Sequence, residues 1–216
     1  MRIRLLIALI VLLLPASAGA HRLDEYLQAM RVDVERNRIS LDIDLTPGVS
    51  IASRVTSWID TNGDNVITPA ESLAYGRQVL QSLTLSIDDV ATPIELIDVH
   101  APTIADMAGG IGTLRLRAAA DMPAAPIGSH HLSLINSHHP ESSVYLANAL
   151  VPADTTIRIV AQKRTIDQHS FGIDYEVETT VNRARVSWLL AATTLLTGTV
   201  LVRRGLVYSK GRSTPN

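Results

Sequence analysis

The chain of 216 residues contains no cysteine. In an oxidising compartment this excludes disulfide staples, and it removes the cysteine nucleophile from the catalytic repertoire. Other catalytic signatures are missing as well: there is no Gly-x-Ser-x-Gly elbow, no His-Glu-x-x-His pair and no Walker loop. Gly109-Gly110-Ile111-Gly112 has neither the spacing nor the strand-to-helix setting of a dinucleotide loop, and reads as a flexible approach to a hairpin. The adjacent carboxylates Asp24-Glu25 and Asp88-Asp89 fall where strand ends or turns are expected. The expectation is a protein that is not an enzyme. A basic surface is also missing. His21 to Ala184 carries 12 Lys and Arg against 21 Asp and Glu, a formal charge of −9 within a chain at −2, so nucleic acid is not an expected partner.

Long apolar runs occur only near the two ends. Met1, Arg2 and Arg4 precede an apolar stretch from Leu5 to Leu14 and then Ala-Ser-Ala-Gly-Ala, the three-part plan of a secretory signal peptide spanning 1–20, with cleavage after Ala20 leaving His21 first. Val186 to Val202 is 17 residues without a charge, bracketed by Arg185 and Arg203, with Trp188 near one boundary. At about 1.5 Å per residue it covers roughly 25 Å, enough for a transmembrane helix over 185–203 if the flanking arginines snorkel. A buried soluble helix would have to be apolar all round and lie within a globular sequence. The segment 204–216 holds Arg204, Lys210 and Arg212 and no acid, which places it in the cytoplasm and residues 21–184 in the periplasm. A single-pass membrane protein with one exported domain is expected, because no linker-like stretch divides those 164 residues.

Within that domain the periodicity is mostly that of strands. Tyr26, Met30, Val32 and Val34 alternate with polar neighbours, as do Ile39, Leu41, Ile43 and Leu45, with a tight turn at Arg36-Asn37 between them. Further runs at 83–87, 94–99, 113–118, 132–135, 144–150 and 157–161 are separated by Asp88-Asp89, the Pro123 and Pro126 segment, Pro140 and Pro152. About eight short strands predict an α+β, mainly β fold: an immunoglobulin-like β-sandwich. A helical period intrudes only at about 49–82. Ile51, Val55, Trp58 and Ile59 form one apolar face, and Leu73, Leu80 and Leu83 another, with Pro69 early in the second helix.

Between those helices runs Asp60-Thr-Asn-Gly-Asp-Asn-Val-Ile-Thr-Pro-Ala-Glu71. Oxygen-bearing residues at loop positions one, three, five, nine and twelve resemble an EF-hand calcium loop, inserted between the second and third strands. A hard cation takes about 6 to 8 oxygens. Asp60, Asn62 and Asp64 would each supply one, Val66 its carbonyl, Thr68 one directly or through water, and Glu71 a bidentate carboxylate. An ordinary Asp/Asn/Gly turn accounts for the polar residues but not for Glu71 or for Ile67 at the apolar anchor position. Position six, usually glycine, is Asn65, the non-glycine type that best tolerates a positive φ, so weakened affinity is expected. Sensor hands work in pairs around methionine-rich grooves, whereas Met30, Met107 and Met122 all lie off the two helices. A structural role for Ca²⁺ follows, and at ten times the dissociation constant one ion contributes about 1.4 kcal/mol.

His130, His131, His138 and His139 form a second candidate, a transition-metal site for Zn, Ni or Cu, with His21 able to chelate through its ring and a free amine. Adjacent strand residues point to opposite faces, and eight extended residues hold His130 and His138 about 26 Å apart. A shared site therefore needs a chain reversal or ligands such as His100 or His169; otherwise these are loop and strand-end histidines.

Three further stretches, His-Arg-Leu-Asp-Glu-Tyr-Leu-Gln-Ala from His21, Leu-Thr-Pro-Gly-Val from Leu45 and Ser-Ser-Val-Tyr-Leu-Ala-Asn-Ala-Leu-Val-Pro from Ser142, are similar to a family of bacterial exported proteins with a single EF-hand and a membrane anchor. That resemblance implies an interaction or assembly module with an unidentified membrane or periplasmic protein partner. A fainter similarity, to periplasmic domains attached to nickel permeases, implies an accessory protein handling a transition metal through the histidines, although this chain has no multiple spans.

Overall fold

The computed structural model describes residues 24–179. The expected signal peptide 1–20, His21, the span 185–203 and the tail 204–216 lie outside the described residues. Among the described residues no helix is long and apolar enough to cross a membrane.

Alternation of apolar and polar side chains sets the architecture. β1 (Tyr26–Val34) and β2 (Arg38–Pro47) bury every second residue and pair as an antiparallel hairpin through the Arg36-Asn37 turn. β3 (Leu83–Ile87) and β4 (Val90–Ala91) form a second hairpin. Its two-residue turn is Asp88-Asp89, both at positive φ (49° and 66°), the geometry that matches the twist of the flanking strands. β5 (Glu95–His100), β6 (Leu114–Asp121), β7 (Gly128–Asn136), β8 (Ser143–Ala149), β9 (Ile157–Arg164) and β10 (Ser170–Val177) complete two five-stranded sheets. One runs β5-β6-β2-β1-β8, with β8 parallel to β1, and the other β4-β3-β7-β10-β9.

The buried faces of both sheets contribute to one core cluster, a β-sandwich in which Met30, Ile39, Leu41 and Ile43 of the first sheet share the interior with Leu85, Leu132, Phe171 and Ile173 of the second. At about 25 cal/mol per Å² of apolar surface removed from water, this burial is the main stabilising contribution in a domain without disulfides.

β10, an interior strand between β7 and β9, lies outside the expected runs, although Phe171, Ile173, Tyr175 and Val177 alternate with Gly172, Asp174 and Glu176. β4 and a short helix α3 (Ile104–Ala108) were likewise unforeseen. The glycine segment after α3 is tightly packed rather than a flexible approach. Gly109 caps the helix, Gly110 takes φ 73°, and a Cβ on Gly112 would lie 2.6 Å from the Met107 backbone nitrogen.

The first crossover between the sheets, from β2 to β3, is a helix–loop–helix: α1 (Ala52–Ile59), the loop 60–68 and α2 (Pro69–Gln81). Helix α1 buries Ala52, Val55 and Ile59 on one face. The buried face of α2 is Ser72, Tyr75, Gly76, Val79 and Leu80, whereas Leu73 is exposed and Leu83 belongs to β3. Close approach explains the small residues. A Cβ on Gly76 would sit 3.0 Å from Leu96 and 3.3 Å from Leu116, so the helix lies down on β5 and β6 at a distance that larger side chains would not permit.

Candidate metal centre

The loop 60–71 is wound by its own side chains. Asp60, the last residue before the turn, is 7% exposed, and its two oxygens accept from the amides of Gly63 and Asn65, both at 2.9 Å. Asn62 Oδ1 accepts from the Asp64 amide at 2.9 Å, and Asp64 Oδ1 from the Val66 amide at 2.8 Å. Asn62 also donates through Nδ2 to Asp64 Oδ2. Gly63 at φ 73° and Asn65 at φ 64° supply the left-handed turns, as expected for asparagine at position six. Ile67 packs on the core cluster while Val66 is exposed.

Glu71 closes the loop and starts α2. Thr68 is the N-cap, accepting from the Glu71 amide at 3.2 Å, and Glu71 Oε2 accepts from the Thr68 amide (3.0 Å) and hydroxyl (2.8 Å), a reciprocal capping box. Glu71 Oε1 accepts from the Thr61 amide at 3.0 Å and from the Asn62 amide at 3.4 Å. The Thr68 amide and hydroxyl, with the Asn62 and Thr61 amides adding to them, pull the Glu71 carboxyl down to about 2. It is an anion at any neutral pH.

The six candidate ligands thus lie along the loop and the first turn of α2, and their oxygens are hard donors of the kind calcium takes. Two of them, Asp60 and Glu71, clamp the beginning and end of the loop. Glu71 is committed to the cap, and no group of three or more His, Asp or Glu side chains among the described residues is gathered as metal ligands would be. A cleft of about 410 Å³ opens beside the loop between α1 and α3, with Asp60, Gly63 and Asn65 on its wall.

The histidine pairs are not brought together. His130 and His131 lie near one end of β7, and His138 and His139 follow its other end. His130 Nδ1 is 2.7 Å from Asp88 and Nε2 2.9 Å from the Pro126 carbonyl. His131 points elsewhere, its Nδ1 2.6 Å from Asp174, which also binds Lys163. His169 pairs with Asp167. Each of these rings is occupied by a neighbouring carboxylate.

His138 and His139 instead attach the helix–loop–helix to the sandwich. His138, 2% exposed, has Nε2 3.0 Å from the Tyr75 hydroxyl, which lies 3.0 Å from that of Tyr26. Its Nδ1 is 3.4 Å from Ser82 Oγ, whose proton goes to the Gln78 carbonyl. The order of donation follows: Tyr26 donates to Tyr75, Tyr75 to His138 Nε2, and His138 Nδ1–H to Ser82. Burial, helped by the neighbouring His139, pushes the His138 ring down to about 3, and burial pushes the Tyr75 hydroxyl up to about 12, so both are neutral.

Around the same turn, Asn136 Oδ1 accepts from the His138 amide and its Nδ2 donates to Gln28 Oε1, while the His138 carbonyl accepts from Gln28, Ser143 and Tyr145. Gln28 and Asn136 are at most 1% exposed, and this network satisfies them. Sequence reasoning missed Gln28, Tyr75 and Asn136. The available signal was a glutamine on the apolar face of β1, between Tyr26 and Met30, where an isolated polar group needs buried partners.

No protein-family model matches this chain, and no curated protein matches it either.

Proposed function

We propose that residues 60–71 bind one calcium ion as an EF-hand inserted in an immunoglobulin-like β-sandwich, in an exported, single-pass membrane protein that acts as an interaction or assembly module rather than as an enzyme. The observation that carries this reading is the winding of the loop around Asp60, whose buried carboxylate is gripped by the amides at positions four and six while Asn65 takes the positive φ that position six requires. Asp60, Asn62, Asp64, the Val66 carbonyl, Thr68 and Glu71 would hold the ion. Calcium supplies a divalent charge that offsets the mutual repulsion of Asp60, Asp64 and Glu71 and fixes α1 relative to α2. Glu71 has to exchange its bonds to Thr61 and Thr68 for the ion, so the capping box and the ion compete for one carboxylate.

The role is structural. The helix–loop–helix is the first of the crossovers between the two sheets, and both helices are fastened to the His138-His139 turn, through Trp58 and Tyr75. The alternative of a transition-metal accessory protein draws no support from the positions of His130, His131, His138 and His139, each of which has other contacts. Thermal unfolding of the full-length protein with calcium or with chelator is the test. A calcium-dependent rise in melting temperature that Asp60→Ala abolishes supports the proposal; equal melting with and without calcium refutes it.

A further inference from the structure

The end of the sandwich opposite the 60–71 loop holds a pocket of about 380 Å³, between the β3–β4 hairpin and the segment that joins β6 to β7. Its volume falls within the range of small-molecule sites. Ile87, Val90, Met122 and Ala125 give it an apolar wall. Its polar groups are one-sided. Both side-chain donors of the lining are already committed: Thr92 Oγ1 to the Val90 carbonyl, and His130 to Asp88 and the Pro126 carbonyl, both of its nitrogens donating when the ring is protonated and paired with the Asp88 carboxylate. The amides of Asp88, Thr92, Met122 and Ala125 go to backbone carbonyls, and Pro93, Pro123 and Pro126 have no amide proton.

Acceptors remain. Each oxygen of an ionised carboxylate accepts up to about two hydrogen bonds. Asp88 receives one on each, from His130 and from the His131 amide, and Asp121 receives one, from Arg38. Beside this wall the Tyr175 hydroxyl, on a side chain 1% exposed whose ring lies 5.3 Å from that of His130, is buried without a hydrogen-bond partner. A group that donates and carries positive charge fits the spare acceptor sites of Asp88 and Asp121, whereas an anion would meet those two carboxylates with the Tyr175 hydroxyl as the one unengaged side-chain donor nearby. The −9 charge of residues 21–184 favours the approach of a cation over the longer range.

We propose that this pocket binds a small apolar cation, an alkylammonium or arylalkylammonium, with its hydrocarbon against Ile87, Val90 and Met122 and its N–H donors on the Asp88 and Asp121 side. The site stands independently of the calcium reading, since none of its residues belongs to the 60–71 loop.

Calorimetric titration of the full-length protein with hexylammonium, hexanol and hexanoate tests it. The expected order of affinity is ammonium, then alcohol, then carboxylate. Ala91→Trp, on an exposed position of β4, fills the pocket and should weaken hexylammonium binding by about tenfold or more. Asp121→Asn, at a rim side chain 74% exposed, should weaken hexylammonium several-fold and leave hexanol unchanged, which keeps the test decisive if Ala91→Trp fails to fold. Hexanoate binding as tightly as hexylammonium, no binding of any of the three, or hexylammonium affinity unmoved by both variants would overturn the proposal.

Discussion

The imidazole of His139 lies flat on the indole of Trp58, with ring centroids 3.6 Å apart and planes 7° from parallel. Trp58 is in the last turn of α1, two residues before Asp60, so this stack ties the beginning of the loop to the turn after β7. His139 stands at φ 48° in that turn. A stacked aromatic pair contributes about 0.5–1.5 kcal/mol beyond the area it buries. His139→Ala is therefore expected to lower unfolding free energy by about 1 kcal/mol in a urea titration and to change the Trp58 fluorescence of the folded state.

Tyr75 performs the equivalent task for α2. Tyr75→Phe keeps the ring but strips the Tyr26 hydroxyl of its acceptor and His138 Nε2 of its donor, both in the interior. A buried polar group left unsatisfied costs about 1–3 kcal/mol. Urea unfolding of Tyr75→Phe should show a loss in that range, and a change below a few tenths of a kcal/mol would contradict the proton order derived for the network.

Two histidines give stability opposite dependences on pH. His138 is held down to about 3 by burial, so between its unfolded value near 6.5 and pH 3 the unfolded chain takes a proton that the fold refuses. Its contribution is complete above about pH 6.5 and falls with acidification, by up to about 1.4 kcal/mol per pH unit. His130 is raised by its hydrogen bond to Asp88, and both its nitrogens face acceptors. Its contribution is complete below the unfolded value and is lost as pH rises through the folded one. Urea midpoints measured from pH 4 to 9 should show a flatter acid limb for His138→Gln and a flatter alkaline limb for His130→Gln.

Gly112 is fixed by space rather than by turn geometry. A Cβ there meets the Met107 backbone at 2.6 and 2.8 Å, and Met107 is fully buried. Gly112→Ala is expected to cost about 1–3 kcal/mol through overpacking, read as a shift in urea midpoint.

Much of the fold was legible because alternation and burial coincide. The β1–β2 hairpin, β3 and the Asp88-Asp89 turn follow from residue order alone. β10 carried the same signal in Phe171, Ile173, Tyr175 and Val177, but its polar residues Asp174 and Glu176 pair sideways with Lys163 and Arg158, contacts that local periodicity does not display. The face of α2 differs from the expected one because hydrophobicity favours Leu73, whereas the buried face carries Ser72 and Gly76, the latter set by its close approach to Leu96 of β5 and Leu116 of β6. Within the candidate site, the winding of the 60–71 loop was foreseeable from spacing. The relay through Tyr26, Tyr75 and His138 was not, since its members are 49 and 63 residues apart and only the closed sandwich brings them together.

The central claim is that residues 60–71 hold one calcium ion. Calorimetric titration of chelator-treated full-length protein with calcium, beside Asp60→Ala and Glu71→Gln, tests it most directly. The account predicts one calcium per chain in the native protein and none in either variant. A native protein that takes up no calcium, or variants that bind as well as the native chain, would contradict it.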